Sequence, residues 1–385
     1  MNSRIVLALC IGLTALSARA RDGASSLVYI GTRGAPQTAS GTQGIYAARL
    51  DSNSGKLMPL GLQLEATRIS WLLAHPTRPL LFMLINPGGS TTVESELHSF
   101  AVDKPTARLR YINEVRTGGR DTTHLAFDLK SNTLFGASFA SGEVMSFPLM
   151  PDGSVGTVAS SQRHYGSGPL PGQNAPHAHA VALDGARRYV LSADLGADRI
   201  FIHRFYEATR ALTEARPPFE MAPAGSGPRH LVVHPNGRFV YMNTEMTAEV
   251  RAYKWDAKEG RMELLESLPA YPAGYAGTAE KSSAEIGLSR DGRHLYVTLR
   301  GDQNSIVVYD VDGKTGRLKE SQRIDSQGKS PRTFAIDPTG RWMLVAHDLS
   351  SMVNVFSIDK NTGRLSPSGE SLPIPNPASF AFYAN

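Results

Sequence analysis

One pattern recurs seven times along this chain, and no other feature limits its possible folds so strongly. A short apolar strand runs into a polar turn. A second strand rich in Tyr, Val and Phe follows. The clearest copies are His230–Arg238 (HLVVHPNGR) before Phe239–Met242 (FVYM), Ile286–Arg293 (IGLSRDGR) before His294–Val297 (HLYV), and Phe334–Arg341 (FAIDPTGR) before Trp342–Val345 (WMLV). Weaker copies lie at Leu73–Leu84, Leu125–Phe135 and Val181–Leu191. Asn-Gly and Asp-Gly supply the positive φ that tight turns between strands require. After each hairpin comes an alternating strand and often a Gly-x-Leu turn, starting near Ile45, Leu97, Val144, Ile200, Val250, Ile306 and Val353. Lys314–Leu318 (KTGRL), Asn361–Leu365 (NTGRL) and, less closely, Ser54–Leu57 (SGKL) are versions of that turn.

The copies are spaced about 50 residues apart, which leaves room for four short strands each, the size of a propeller blade. The ends are complementary. Leu27–Gly31 reads as a second strand lacking a first, and Ala378–Tyr383 as a first strand lacking a successor. Pairing them would close the ring and leave no exposed sheet edge. The pattern predicts an all-β, seven-bladed β-propeller whose N- and C-terminal strands share one blade. No linker interrupts the repeats, so residues 21–385 are expected to form a single domain. Two β-sandwiches are the main rival, but they would not require seven equivalent units with complementary ends.

Residues 1–20 read as a secretory signal peptide. Arg4 gives a basic start, Ile5–Leu16 is almost wholly apolar, and Ala18-Arg19-Ala20 fits a cleavage site near Ala20. The run is too short to span a bilayer, and Leu9 before Cys10 argues against a lipid anchor. The expected location is periplasmic or secreted. Cys10 is the only cysteine of the 385 residues, so the mature chain would have no disulfide and no thiolate chemistry. Losing Arg4 and Arg19 would reduce the formal net charge from +5 to +3. No Lys/Arg run marks a nucleic-acid or membrane surface. A small-molecule partner is expected, and oligomeric state is left open.

The repeat also groups ionisable residues. Arg229 lies eight residues before Gly237, and Glu245 eight after it. Antiparallel pairing brings such positions side by side. Arg300 stands at the same distance after Gly292, and Arg332 and Asp348 flank Gly340 in the same way. Around Asp184-Gly185, either His177 or His179, with Asp194, falls within a residue or two of those positions. Four consecutive blades therefore aim charged groups at one end of the channel, a common mark of a site. A cross-strand ion pair that merely holds a blade is the competing reading for Arg229 and Glu245. Packing within and between blades is the competing reading for His75, His124, His230 and His234.

Four segments carry a resemblance to a known family: Ala175–Ala180 (APHAHA) with Ala193–Gly196 (ADLG), Gly227–Leu231 (GPRHL) with Asn243–Glu245 (NTE), Ser283–Ile286 (SAEI) with Leu299–Gly301 (LRG), and Pro331–Phe334 (PRTF). Over roughly residues 26–384 the chain resembles the propeller lactonases, which include bacterial 6-phosphogluconolactonase and fungal carboxymuconate cyclase. Thr298 and Leu299 stand where that family usually has Ser-Asn. The resemblance implies catalytic roles for Glu245, Arg229, Arg300 and either His177 or His179. Asp194, His230, Glu285 and Arg332 are expected to contact substrate. Lactone hydrolysis needs a base for water, donors for the oxyanion and an acid for the leaving alkoxide. Glu245 or the histidine suits the base. Arg229 and Arg300, always protonated, suit anionic oxygens. No cofactor is implied and no metal is expected, although His177 and His179 could both face one way on a strand. The leading expectation is hydrolysis of a sugar-acid lactone. The alternatives are a carboxymuconate-type cycloisomerase and a non-catalytic periplasmic binding protein.

Overall fold

Each of the three clear hairpins turns through a glycine held at positive φ: Gly237 at 69°, Gly292 at 73° and Gly340 at 73°. The glycine N–H donates to the carbonyl three residues back, on His234, Ser289 and Asp337. The second strands that follow, such as Phe239–Thr244 and His294–Leu299, are buried along their whole length. Both of their faces meet a neighbouring blade, so they read as continuous apolar runs rather than as an alternation. Outer strands such as Arg261–Pro269 carry charged residues into solvent.

The computed structural model describes residues 25–34, 41–87, 92–275 and 281–383. The leader and its cleavage site lie outside the described residues. Seven four-stranded antiparallel sheets form a ring, the seven-bladed β-propeller expected from the repeats. Blade 1 is closed as the two half-blades predict: Pro377–Tyr383, its innermost strand, pairs with Ser25–Thr32. Blades 2 to 7 follow in chain order.

Seven hydrophobic clusters hold the ring, each between one pair of neighbouring blades. Tyr241, Val250, Leu295 and Val307 join blades 5 and 6. Val28, Leu50, Leu344 and Val355 join blades 7 and 1 across the closure. Burying one such side chain contributes about 1.5–3 kcal/mol, enough in sum to hold a disulfide-free ring. The Gly-x-Leu turns interlock these interfaces. A Cβ on Gly316 would stand 2.4 Å from the Phe239 ring, and one on Gly55 2.4 Å from Trp342 of blade 7. The carbonyls of Gly316 and Gly363 each accept a hydrogen bond, 3.0 Å long, from the preceding blade's buried tyrosine, Tyr241 or Tyr296. The repeated motif is thus a blade-to-blade contact.

The seven innermost strands line the channel, and each contains one β-bulge at the same height. The extra residues are Ala378, Ser70, Thr123, His179, Arg229, the pair Ala284–Glu285, and Arg332. A bulge leaves one residue out of the ladder and re-aims its side chain. One position past each second strand gives a second ring: Arg33, Asn86, Phe139, Leu195, Glu245, Arg300 and Asp348.

Candidate active site

The two rings meet at one mouth of the channel, around a chamber of about 200 Å³ lined by Arg229, Glu245, Arg300, Arg332, His179 and Phe139, with Arg33, Asp121 and Thr123. Its centre is a clamp. Arg229 Nε lies 2.7 Å from one oxygen of Glu245, and Arg300 Nη2 lies 2.8 Å from the other. The bulge sends Arg229 inward and the adjacent turn brings Glu245 over it. The flanking strands hold them in that register through Pro228 and Thr244. Arg229 also donates to the Ala284 carbonyl of blade 6. Arg300 is fixed by the Ser282 hydroxyl at 2.8 Å.

The clamp determines the ionisation of Glu245. Burial alone would raise its carboxyl, but the charges of Arg300 and Arg229 outweigh that and hold it at about 2. The carboxylate is ionised and tightly engaged at any physiological pH, so it is a weak base. Arg332 is crowded differently. Burial first, then the nearby cations Arg33, Arg229 and Arg300, press its proton affinity down. Its paired carboxylate, Asp348, stands 3.9 Å away. Arg332 therefore has guanidinium capacity to offer a ligand anion.

The two candidate histidines separate. In blade 4 the positive-φ residue is Arg187, at 62°, rather than Gly185. Gly185 instead allows close approach to Gly237 of the next turn. Counting from Arg187 puts His179 in register with Arg229, and His179 faces the chamber. Burial, then Arg229 and His230, push its pKa well down, so it is neutral. Its Nδ1 is buried with no hydrogen-bond partner among the described residues. His177 precedes the strand Ala178–Leu183. It stacks on Phe139 at 4.5 Å, and its Nδ1 lies 2.7 Å from the Phe139 carbonyl. The two side chains are not side by side on one strand face as alternation would have them, because His179 is the bulged residue.

Asp194 corrects an expectation. It is fully buried and does not line the chamber. One carboxylate oxygen lies 2.7 Å from His164 Nδ1. The other accepts the backbone N–H groups of His177 and Ala197, each at 2.8 Å. It pins the turn that carries His177. His230 and Glu285 stand one layer below the chamber, 2.6 Å apart. There the rings of Trp71, His124 and His230 constrict the channel, with centroids 4.4–5.8 Å apart. Beyond them a wider cavity of about 560 Å³ reaches past Arg290 and Pro338.

Arg33, Asp121 and Phe139 were not singled out from sequence. Arg33 and Phe139 follow the second strands of blades 1 and 3, at the offset that gives Glu245 and Arg300. Applying the offset to every blade would have found both. Asp121 precedes the strand Thr122–Asp128 at a positive φ of 50°. Burial raises its carboxyl against the opposing pull of Arg33 and Arg332. No sequence pattern marks it.

Residues 27–382 match the model of the family described as "Lactonase, 7-bladed beta-propeller". A 6-phosphogluconolactonase of Bacillus subtilis is 30% identical over 349 residues, which is 90% of this chain and 96% of that protein. The structure of a periplasmic gluconolactonase of Pseudomonas aeruginosa superposes with a TM-score of 0.86 at 31% identity, covering 94% of this chain and 99% of that one. A putative 6-phosphogluconolactonase of Bacteroides fragilis gives a TM-score of 0.84 at 25% identity, with coverage of 94% and 99%. The chain belongs to the lactonase family of seven-bladed β-propellers.

Proposed function

We propose that this protein is a lactone hydrolase acting on a sugar-acid lactone in the chamber above, with an unphosphorylated aldonolactone as its substrate. The clamp of Arg229 and Arg300 around Glu245 carries this reading. It holds two guanidinium groups rigidly at the wall of a small polar chamber, ready for oxygen atoms that gain charge. Preorganised donors of this kind are the largest single contribution to acyl-transfer catalysis. At about 200 Å³ the space suits a six-carbon aldonolactone rather than a drug-sized ligand, for which pockets run roughly 300–1,000 Å³.

The arginines take the carbonyl oxygen as it becomes an oxyanion, and Arg332 takes the carboxylate of the product. Glu245 holds both clamp arginines in place, and a neutral histidine of the channel wall accepts the proton from water. The signal-peptide pattern of residues 1–20 and the likeness to a periplasmic gluconolactonase support export and an unphosphorylated substrate.

A pH-stat screen of residues 21–385 against glucono-, galactono- and 6-phosphogluconolactone tests the reading, with Arg300→Ala as control. Acid release above the spontaneous rate, lost in the control and fastest for an unphosphorylated lactone, is expected. No release from any of them would refute the hydrolase and turn attention to cycloisomerisation or simple binding. A preference for the phosphorylated lactone would refute only the substrate assignment.

A further inference from the structure

Water attack in the chamber needs a base that is unprotonated and free to accept, and Glu245 between two arginines is neither free nor basic. A second carboxylate lies one layer deeper, and it is built differently. Glu285 Oε1 is 2.6 Å from His230 Nδ1. Its other oxygen accepts from the Thr333 hydroxyl at 2.9 Å, and the backbone N–H of Ile286 donates to Oε1 at 3.2 Å. Both Glu285 and His230 are buried. A carboxylate bound at Nδ1 fixes the imidazole proton there and leaves Nε2 as the acceptor.

Directly under the chamber the channel narrows to a space of about 20 Å³, bordered by Ser70, His179, Arg229, His230, Glu285 and Thr333. That is about the room one water needs. His179 and Arg229 line both this neck and the chamber. A water held there therefore lies between a lactone above and the His230 ring.

We propose that His230, oriented by Glu285, is the general base that activates the attacking water; this rests on the lactone-hydrolase reading given above. The water oxygen bonds to the lactone carbonyl carbon while its proton passes to His230 Nε2. The carbonyl π pair moves onto oxygen, facing the clamp arginines. On collapse the ring C–O bond breaks, and the imidazolium returns its proton to the departing ring oxygen. The product is the open hydroxy acid, and His230 is neutral again. Glu285 stays ionised throughout and acts as a positioning residue that stabilises the imidazolium.

The surroundings of His230 fit a base that titrates under the control of one partner. Facing it are Trp71 from blade 2, His124 from blade 3, His179 from blade 4, Arg229 from its own strand, Glu285 from blade 6 and Arg332 from blade 7. Burial, Arg229 and Arg332 favour the neutral ring, and Glu285 opposes them. Burial and the charge of His230 push His124 down to about 3, so it does not compete for the proton. A mere tie between blades does not need such a pair. Blades 2, 3 and 4 are joined at this level by hydroxyl-to-carbonyl bonds, Ser70 to Thr122 at 2.6 Å and Thr123 to His179 at 3.0 Å.

The test is the pH–rate profile of gluconolactone hydrolysis by the wild type and by His230→Gln, Glu285→Gln, Thr333→Val and His179→Gln, with thermal melts to confirm folding. The wild-type kcat is expected to rise with pH along a one-proton limb. Glu285→Gln should displace that limb to lower pH, since the ring loses the charge that holds its proton, and lower plateau kcat about tenfold with KM little changed. His230→Gln should abolish the limb and cost about 100-fold or more in kcat. Thr333→Val should move the limb by less and to higher pH, since the Glu285 carboxylate loses a hydrogen bond that shares its charge and so holds the ring proton more tightly. It serves if Glu285→Gln does not fold. His179→Gln should keep the limb. An active enzyme whose limb is unmoved in Glu285→Gln and Thr333→Val, or is lost in His179→Gln instead, overturns the base assignment alone. A wild type with no lactonase activity overturns both this assignment and the reading beneath it.

Discussion

The two halves of the ring are built on one plan and carry different chemistry. Every innermost strand bulges at the same height. In blades 4, 5 and 7 the bulged residues are His179, Arg229 and Arg332, in blade 6 they are the pair Ala284–Glu285, and in blades 1 to 3 they are Ala378, Ser70 and Thr123. The side chains of His179, Arg229 and Arg332 turn into the chamber, and Glu285 borders the neck. The hydroxyls of Ser70 and Thr123 turn sideways to a neighbouring blade's carbonyl. The ionisable bulges are concentrated in one half of a ring whose plan is common to all blades, consistent with function residing in sites rather than in folds. Blades 1 and 3 also reach the chamber, through Arg33 and through Asp121, Thr123 and Phe139.

This contrast makes unequal predictions for equivalent positions. Arg300→Ala removes a clamp donor and should lower kcat/KM by about 100-fold or more, or about 3 kcal/mol of transition-state stabilisation. Steady-state kinetics on the preferred lactone check this, and a loss below fivefold would break the contrast. Glu245→Gln leaves Arg229 and Arg300 without their shared counter-charge and should cost roughly 3 kcal/mol of stability, read from denaturant midpoints. The sign with pH follows from the depressed carboxyl. Its folded pKa of about 2 lies below the unfolded value of about 4.3, so the contribution is full above the unfolded value and fades as pH falls toward 2. Wild type and Glu245→Gln should therefore converge in stability at acid pH, and a gap that persists at pH 2 would contradict the clamp. Thr123→Val, at the bulge of blade 3, should cost only about 1 kcal/mol of stability and change kcat/KM less than threefold.

The architecture was readable because it repeats. Gly237, Gly292 and Gly340, the Thr-Gly-Arg-Leu turns and the two half-blades all point to one ring, and each has a direct steric or hydrogen-bonding cause. The grouping of Arg229, Glu245, Arg300 and Arg332 was readable from the same offsets. What failed was local. The bulge leaves no mark in sequence, so His177 and His179 could not be separated, and Asp194 looked like a rim residue although it pins a buried turn. The state of Glu245 was also illegible. A carboxylate in a cleft reads as a base until Arg300, 55 positions away in the chain, is seen to grip its other oxygen.

The most direct measurement is a crystal structure of the protein soaked with a non-hydrolysable aldonolactam, the ring-nitrogen counterpart of the lactone. The account predicts the ring in the chamber, its carbonyl oxygen facing Arg229 and Arg300 and its carbonyl carbon above the neck beside His230. A ligand seated at the opposite mouth, or against Ser70 and Thr123 with the Arg229–Glu245–Arg300 clamp untouched, would contradict it.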